Sequence, residues 1–400
     1  MSLRQNPLPL LRSFDLADLT HLQYIRQEMI ATTSHVYLNA GTFGPMPACV
    51  PAAMQERIQQ EWQNGRLGAS GFESMLAIYD NARQGAAHLL NAHVDEIALT
   101  DNTGEGLNII SFGLDWHEGD EVITTNHEHI SLLAPLYQLR NRYGIVIRVA
   151  DIGAKGDRPV LKPVADLVTP RTRLISLSHV SWMTGARLNI SEVGYMGREW
   201  GIPVLIDGAQ SAGAIPLDMH ALNIDFYAIP MQKWLCGPDG TGALYARQDA
   251  LSYVKSTYVG YWSVKHEEGI EWELHDKAQR FEVGGRQTAA LAGQVAVLNW
   301  LSTVVGHQWM YERIATLSAY AYHTLSEIPG LTMLTPRPGE SGLVAFRLEG
   351  KDDAEVVKVL NEKHNILIRN IPSTHALRIS TGFYNTEEEI DTLARALHEI

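Results

Sequence analysis

The sequence predicts an α/β protein in which a mostly parallel, seven-stranded sheet forms a large domain, followed by a small α+β C-terminal lobe. Three observations indicate this class. Short β-rich runs alternate with stretches of helical period between about residues 95 and 250. The runs are apolar almost throughout, as in a sheet that helices cover on both faces. The chain has 400 residues, which is more than one compact core usually holds.

Seven runs are interpreted as the strands of the large sheet. In chain order they are EIALT (96–100), EVITT (121–125), IVIRVAD (145–151), RLISLSH (173–179), PVLIDG (203–208), DFYAIP (225–230) and GALYA (242–246). The helical period between them predicts helices at 105–114, 129–142 and 191–201. In such a sheet, ligands bind beyond the carboxyl ends of the strands.

The pattern changes after residue 286. Helices are predicted at 287–304 and 307–327, and the runs LTMLTP, GLVAFRLE, ILIRNI and ALRISTG then indicate a small mixed sheet. A last helix is expected from about residue 386, capped by Asn385 or Thr386. We predict three parts: a segment at 1–34 that joins the small lobe through a helix at 15–31, a large domain at 35–285, and a small domain at 286–400.

Composition argues against several classes of protein. The formal net charge of −13 does not suit a nucleic-acid-binding surface. Two cysteines, Cys49 and Cys236, are too few for a disulfide framework and suit a reducing cytosol. We find no apolar run near the roughly 20 residues of a membrane helix, and the first residues lack the features of a secretion signal. The expectation is a cytoplasmic protein with no membrane or nucleic-acid partner.

Polar residues follow two of the predicted strands in VLIDGAQSAGAIPLDMHALNIDFYAIPMQKWLCGPDGTG (204–242). A lysine in apolar surroundings has a lowered pKa, which makes Lys233 a candidate for imine chemistry. Asp207 ends a buried strand, where a carboxylate is costly without a cationic partner. A protonated pyridine nitrogen is one such partner. The structural alternatives are a solvated surface lysine and an aspartate that caps the next segment.

The segment LTDNTGEGLNII (99–110) runs from a strand through a small-residue turn into a helix. Backbone N–H groups of Gly104 and Glu105, with the hydroxyl of Thr103, could bind an anion at the helix N-terminus. Many strand–turn–helix units of this kind bind nothing, so the motif is weak by itself.

The segment TTNHEHISLL (124–133) carries two histidines around a glutamate. His127, Glu128 and His129 could be metal ligands, but the sequence has no further ligand cluster, and we predict no metal. His129 could instead stack on a planar cofactor, or it could be a half-buried structural histidine.

Taken together, these segments resemble the class V aminotransferase family of pyridoxal phosphate enzymes, which have fold type I. The resemblance covers most of the chain through VYLNAGTFGPMP (36–47), LTDNTGEGLN, NHEHISLLAPL, LISLSHVSWMTG, VLIDGAQSAGAIPLD, DFYAIPMQKWLCGPDGTGALY, RFEVGG and LRISTGFYNTEEEID. It implies pyridoxal 5′-phosphate as the cofactor, an L-amino acid as the substrate, and a homodimer with RFEVGG at its interface.

The resemblance also implies site residues. Lys233 would bond to the cofactor and move the substrate α-proton, Asp207 would pair with the ring nitrogen, and His129 would stack on the ring. Arg378 would hold the substrate α-carboxylate. The full cofactor set is Thr103, Gly104, Glu105, His129, Asp207, Gln210, Gln232, Lys233, Gly285 and Arg286. The substrate set is Ala40, Gly41, Thr42, Trp182 and Arg378, and the catalytic set is Lys233, His129 and Asp207.

Part of the family's phosphate-binding pattern is changed in this chain. Pro230 stands where a hydroxyl residue is usual, Gln232 replaces a histidine, and Gly285 replaces a threonine that the partner subunit usually supplies. Arg286 is adjacent and could grip the phosphate bidentately. The alternative for Arg286 is an interface salt bridge.

Three features favour one branch of the family. The stretch ILIRNIPSTHALRIS (366–380) has neither the catalytic cysteine of cysteine desulfurases nor room for its loop. Trp182 and the run STYVGYWSV (256–264) resemble the cystine C–S lyases. We therefore predict β-elimination from a sulfur-containing L-amino acid, giving pyruvate, ammonia and a thiol or persulfide. Alternatives are an epimerase, an aminotransferase, another pyridoxal phosphate reaction, or a non-catalytic protein that binds the cofactor.

Overall fold

The computed structural model describes residues 16–400 and begins with elements that lead into the large sheet. The helices and strands up to residue 150 are α1 (Leu16–Glu28), α2 (Ala31–Ser34), β1 (Val36–Tyr37), α3 (Cys49–Asn64), α4 (Ala69–Leu90), β2 (Ile97–Thr100), α5 (Thr103–Gly113), β3 (Glu121–Thr125), α6 (Ile130–Tyr143) and β4 (Val146–Ala150). The remaining elements up to residue 274 are α7 (Leu161–Ala165), β5 (Thr172–Ser178), α8 (Ile190–Trp200), β6 (Val204–Asp207), α9 (Met219–Leu222), β7 (Phe226–Pro230), β8 (Gly242–Ala246), β9 (Val264–Glu268) and β10 (Glu271–Leu274).

The C-terminal part contains two long helices and a smaller sheet. Its elements are α10 (Thr288–Trp300), a π-helical turn (Leu301–Val305), α11 (His307–Ser326), β11 (Leu331–Met333), β12 (Leu343–Leu348), α12 (Asp353–His364), β13 (Ile366–Leu367), β14 (Arg369–Ile371), β15 (Ala376–Ser380) and α13 (Glu387–Glu399). The predicted helix at 287–304 is thus α-helical only to residue 300, and Gly306 ends it with a positive φ.

The seven predicted strands form one sheet in the order β2-β8-β7-β6-β5-β3-β4. Neighbours from β7 to β4 are parallel, whereas β8 is antiparallel to both β7 and β2. Every residue of β6, β7 and β8 is buried, because helices cover both faces. The predicted α/β class with a mostly parallel seven-stranded sheet is confirmed.

The smaller sheet, predicted to be mixed, is antiparallel throughout, with the order β11-β12-β15-β14. It packs with α11, α12 and α13 around its own apolar core. Thr386 caps α13 in a capping box with Glu389, so the second of the two proposed capping residues is the one used. Helix α1 joins this part of the chain, since Arg26 donates to the Tyr384 carbonyl and pairs with Glu389.

One helical stretch differs from the expectation that no segment is apolar enough to span a membrane. Thr288–Val305 is long and apolar enough by length and composition, but 61% of it is buried inside the protein. It packs against α3 and α4 as a core helix, and this explains its apolar composition. The feature is weak evidence for a membrane span.

The predicted division of the chain into three parts, with boundaries at 34/35 and 285/286, stays a prediction.

Candidate active site

The carboxyl ends of the central strands open into a cavity of about 370 Å³. Ser178, Asp207 and Pro230, the last residues of β5, β6 and β7, lie at its base. Their side chains meet there because parallel strands end at the same edge of the sheet, and Ser178 and Asp207 are paired in register. Loop residues 41–43, the starts of α5 and α6, and strands β14 and β15 provide the walls.

Lys233 and Asp207 form the charged centre of this cavity. The pKa of Lys233 is lowered to about 8, mainly because the amine is buried. The charges of Arg378 and Arg369 also lower this pKa, whereas the charge of Asp207 raises it. Burial raises the pKa of Asp207, and Lys233 counteracts this. Asp207 accepts a 2.8 Å hydrogen bond from the Ala209 N–H. In the part of the chain that the structure describes, neither charged group has a direct salt-bridge partner, so both are available to a ligand.

A second carboxyl group lies behind Asp207. Glu128 accepts hydrogen bonds from the Thr125 hydroxyl at 2.5 Å and from the Ser178 N–H and hydroxyl at 2.9 and 2.5 Å. The pKa of Glu128 is raised to about 7, mainly because the carboxyl is buried. The hydrogen bonds lower the pKa and the charge of Asp207 raises it, but both effects are smaller than that of burial. Glu128 thereby fixes Ser178 at the base of the cavity.

His129 stands at the entrance of α6 with its ring on the cavity. Its Nδ1 accepts from the Ser131 N–H at 3.2 Å, so the ring proton of the neutral form is on Nε2. Burial lowers the pKa of His129, and the charges of Lys233 and the cavity arginines add to this effect, so that the pKa is about 4. The imidazole is therefore neutral near pH 7. It packs edge-to-face against Trp182 at 5.0 Å between ring centroids.

The start of α5 fits an anion. Within residues 16–400, the N–H groups of Thr103 and Gly104 have no hydrogen-bond acceptor, whereas that of Glu105 donates to the Asn102 side chain. The Thr103 hydroxyl and the Gln232 amide oxygen are buried on the same cavity, and neither has a hydrogen-bond partner among the residues that the structure describes. Free donors at a helix N-terminus are suited to a phosphate. The residues present therefore fit a phosphorylated pyridine cofactor held between α5, Asp207 and Lys233.

The loop at 41–44 closes over the lysine segment. Gln210 donates to the Gly41 carbonyl at 2.9 Å and accepts from the Trp234 indole at 2.9 Å, which leaves one amide hydrogen for a ligand. A Cβ on Gly44 would lie 2.1 Å from the Lys233 carbonyl, so only glycine allows this close approach. Glycine at position 44 thus sets the position of Lys233.

Two arginines that have no carboxylate partner among residues 16–400 face the cavity from β14 and β15. Arg378 is fully buried and donates to the Trp182 carbonyl at 2.6 Å and to the Thr42 hydroxyl at 3.5 Å. Its Nε has no acceptor among the described residues. Arg369 donates to the Thr42 hydroxyl at 3.4 Å, and its guanidinium lies 5.8 Å from the Trp182 ring centroid. Arg378 is buried and Arg369 is half-buried. Cations withdrawn from water without a counter-ion among the described residues mark a binding site for anions.

Arg369 is the charged cavity residue that the sequence analysis missed. Its signal was present in ILIRNIPSTHALRIS, where two adjacent short strands each carry one arginine among apolar residues. The register of β14 and β15 places Arg369 directly opposite Arg378. The connection between the two strands is a tight turn at 372–375, which leaves no room for a longer loop.

The structure gives the expected site residues different positions. Those that line the cavity are Gly41, Thr42, Thr103, Gly104, His129, Trp182, Asp207, Gln210, Gln232, Lys233 and Arg378. Ala40 is fully buried in the core beside it. Glu105, Gly285 and Arg286 line a neighbouring surface depression of about 450 Å³ instead. A Cβ on Gly285 would lie 2.8 Å from the Tyr261 hydroxyl.

The two histidines and the glutamate of the His127–His129 segment each have different hydrogen-bond partners and point in different directions. The ring nitrogens of His127 bond to the Ser181 hydroxyl at 2.9 Å and the Gly153 carbonyl at 2.7 Å. Glu128 points to β5, and His129 points to the cavity. Residues 16–400 contain no group of three or more side chains that could hold a metal ion.

Comparison with known proteins matches the chain to one family model. The model described as aminotransferase class-V covers residues 36–393. A probable cysteine desulfurase of Methanothermobacter thermautotrophicus is 30% identical over 94% of this chain and 97% of its own. The isopenicillin N epimerase of Streptomyces clavuligerus is 30% identical over 93% of this chain and 96% of its own.

A solved structure has the same architecture. It is the cystine C–S lyase C-DES in complex with its reaction product cysteine persulfide. The TM-score is 0.88 at 29% identity, over 93% of this chain and 99% of C-DES. C-DES has also been solved as a lysine mutant with glycine covalently linked to its pyridoxal phosphate cofactor. These matches confirm the predicted fold type I.

Proposed function

This chain belongs to the aminotransferase class-V family, and from that premise we propose that it is a pyridoxal phosphate-dependent C–S lyase acting on a sulfur-containing L-amino acid. One observation carries the proposal: a single cavity combines the Lys233–Asp207 centre with two arginines that have no carboxylate partner in the described part of the chain. The first pair suits the cofactor, and the second pair suits a substrate with two anionic groups.

The cofactor would be held by residues whose groups are free in the cavity. Asp207 suits the protonated ring nitrogen, and the free N–H groups of Thr103 and Gly104 suit the phosphate. His129 presents a neutral imidazole to the ring. When bound, pyridoxal phosphate supplies an electron sink for the electron pair left at the substrate α-carbon after its proton is removed.

Lys233 is the residue that moves the α-proton in this proposal. Its amine is buried, and its pKa is lowered to about 8, so a substantial neutral fraction is present near neutral pH. The close approach of Gly44 to the Lys233 carbonyl fixes the backbone from which the side chain reaches the cavity. A fixed amine beside the α-carbon lowers the entropic cost of proton transfer.

Arg378 and Arg369 would orient the substrate. Arg378 suits the α-carboxylate, since its buried fork lacks a carboxylate partner. Arg369, opposite it in the register, suits a second carboxylate. L-Cystine carries two carboxylates, and its elimination with water gives pyruvate, ammonia and cysteine persulfide. The sulfur leaves with the product, so this reaction requires no protein nucleophile.

The cysteines of the chain agree with elimination. The turn between β14 and β15 contains no cysteine, and Cys236 is fully buried with its thiol pKa raised by burial. A thiolate that accepts sulfur needs exposure and a lowered pKa. The proposal therefore favours pyruvate over alanine as the carbon product.

The test is product analysis with purified protein offered L-cystine and L-cysteine. We expect pyruvate and a persulfide from cystine, and no pyruvate from a Lys233→Ala variant. Arg369→Gln should lower kcat/KM for cystine roughly 30-fold or more, since it removes a charged hydrogen bond, and should affect cysteine little. Alanine as the product would replace the lyase with a desulfurase.

An epimerase is the second candidate, because a relative of equal identity is an isopenicillin N epimerase. Epimerisation exchanges the α-proton with solvent but releases no sulfur. Deuterium uptake at the α-carbon in D₂O without pyruvate would identify it. A pyridoxal phosphate protein that shows neither exchange nor product would be a binding protein.

We also propose that the protein is cytoplasmic and that its chain is divided into an N-terminal segment at 1–34, a large domain at 35–285 and a small domain at 286–400. We propose further that the protein is a homodimer. Exposed apolar side chains concentrate near the RFEVGG segment, including Tyr258, Val259, Tyr261 and Val283. Such clusters mark interfaces. Light scattering of the purified protein should give twice the chain mass, and a monomer would remove this part of the proposal.

A further inference from the structure

An ion cluster lies beside the free donors of α5. Arg286 donates to Glu105 Oε1 at 2.9 Å through Nη2 and pairs with the Asp101 carboxylate through Nη1. The Arg286 side chain is only 9% exposed. Its backbone N–H donates to the Tyr79 hydroxyl at 2.5 Å, and Tyr79 is buried. The guanidinium is therefore held by the protein and is already engaged with two acids.

The position of the acids makes this cluster relevant to the phosphate site. Glu105 is the third residue of α5, in the same first turn as Thr103 and Gly104, whose N–H groups face the cavity. Asp101 precedes that turn by two residues. Two carboxylates this near to an anion site repel the anion, and one arginine reduces their summed charge from −2 to −1.

We propose that Arg286 is a positioning residue for the cofactor phosphate, which it serves by neutralising and holding Asp101 and Glu105 rather than by gripping the phosphate. Arg286 lies on the neighbouring depression and not on the cavity of its own chain. Arg286 also keeps the Glu105 side chain in place while Glu105 Oε2 accepts from the Asp101 N–H. The two acids thus belong to the architecture of the turn, and the arginine offsets their charge.

The proposal concerns cofactor binding, not the substrate, so it stands apart from the proposed lyase reaction. If Arg286 acts through the acids, removing their charge must remove the need for Arg286. If it grips the phosphate directly, from its own chain or from a partner, the loss must persist when the acids are neutral. Comparing the single Arg286 variant with a triple variant that also lacks both acids separates these two cases.

The experiment measures the affinity of the full chain, stripped of cofactor, for pyridoxal phosphate and for pyridoxal, which lacks the phosphate. Arg286→Gln should weaken pyridoxal phosphate binding roughly five- to tenfold and leave pyridoxal binding unchanged. Adding Glu105→Gln and Asp101→Asn to Arg286→Gln should return the affinity to the wild-type value or above. Adding Glu268→Gln instead, an exposed acid on β9 outside this ion cluster, should not restore it.

The controls address folding and charge. Arg286→Lys keeps the charge and should keep most of the affinity, and the melting temperature of each cofactor-free variant shows whether it is folded. The Arg286→Gln loss should shrink at high salt, because the repulsion is screened. A loss that the neutral triple variant retains would overturn the proposal in favour of direct phosphate binding. An unchanged affinity in Arg286→Gln would also overturn it.

Discussion

Lys233 is the residue whose chemistry depends most directly on burial. It follows β7 at the base of the cavity, and its lowered pKa reflects loss of water more than any neighbouring charge. Asp207 opposes this lowering of the Lys233 pKa, so both the protonated and the neutral form of the amine are present near a pH of about 8. This state suits an amine that must react with an aldehyde and also accept a proton.

The pKa of Lys233 predicts how fast the cofactor-free protein captures pyridoxal phosphate. Only the neutral amine is nucleophilic, so the capture rate should rise about tenfold between pH 7 and pH 9 and level off above a pKa of about 8. Stopped-flow absorbance would measure this rate. Asp207→Asn should move the midpoint to lower pH because it removes the opposing charge. A midpoint near the ordinary lysine value of about 10.4 would contradict this explanation.

Glu128 predicts a pH dependence of stability. Its pKa is raised from 4.5 to about 7 in the folded protein, so the folded state binds the proton more tightly than the unfolded state. The stabilisation is complete below pH 4.5 and is lost as pH rises through 7, with a size on the order of 3 kcal/mol. Urea unfolding at several pH values should show a smaller decrease over this window in Glu128→Gln. Identical profiles would exclude Glu128 as the source.

At the scale of elements, α5 combines a structural and a binding role at one end. Asn102 caps the helix by accepting from the Glu105 N–H at 3.0 Å, which leaves the N–H groups of Thr103 and Gly104 free. The cap thus satisfies one donor and directs two others to the cavity. The hairpin of β14 and β15 has a similar dual role, since its register places Arg369 and Arg378 side by side.

Substitution of Asn102 separates the two roles of the α5 terminus. Asn102→Asp should keep the cap and the free energy of unfolding within about 0.5 kcal/mol, because both residues are good caps. It should weaken pyridoxal phosphate binding, since it adds a negative charge beside the phosphate site. Asn102→Ala should instead lower the free energy of unfolding by about 1 kcal/mol. Chemical denaturation and cofactor titration measure these effects, and equal cofactor affinity in all three proteins would contradict the assignment.

At the scale of the whole molecule, the cavity is assembled from distant parts of the sequence. The large sheet contributes Asp207 and the segment after β7 contributes Lys233, whereas the smaller sheet contributes Arg369 and Arg378. Thr42, on the loop that follows β1, contacts both arginines. A ligand that reaches from these two arginines to the Lys233–Asp207 centre would therefore bridge the two sheets and stabilise the molecule.

This bridging predicts a thermal shift. The dicarba analogue of cystine, diaminosuberate, has two carboxylates and no sulfur to lose. At about one hundred times its Kd it should add about 2.7 kcal/mol of stability, or a rise in Tm of about 3 °C. The monocarboxylate 2-aminohexanoate at the same concentration should give a smaller rise. In Arg369→Gln the two ligands should become equivalent, and equal shifts in the wild-type protein would exclude a second carboxylate site.

The sequence by itself determined the seven strands, the burial of all of them but the mostly exposed edge strand β4, and most of the candidate site. These features are local, since apolar runs, caps and residues such as Asp207 at a strand end can be recognised from neighbours in the chain. Only the tertiary structure decided the placement of Arg369 and Arg286. Arg369 is a site residue because strand register sets it opposite Arg378, and Arg286 lies outside the cavity because Asp101 and Glu105 pair with it. Contacts between residues that are far apart in the sequence depend on packing, which local pattern does not contain.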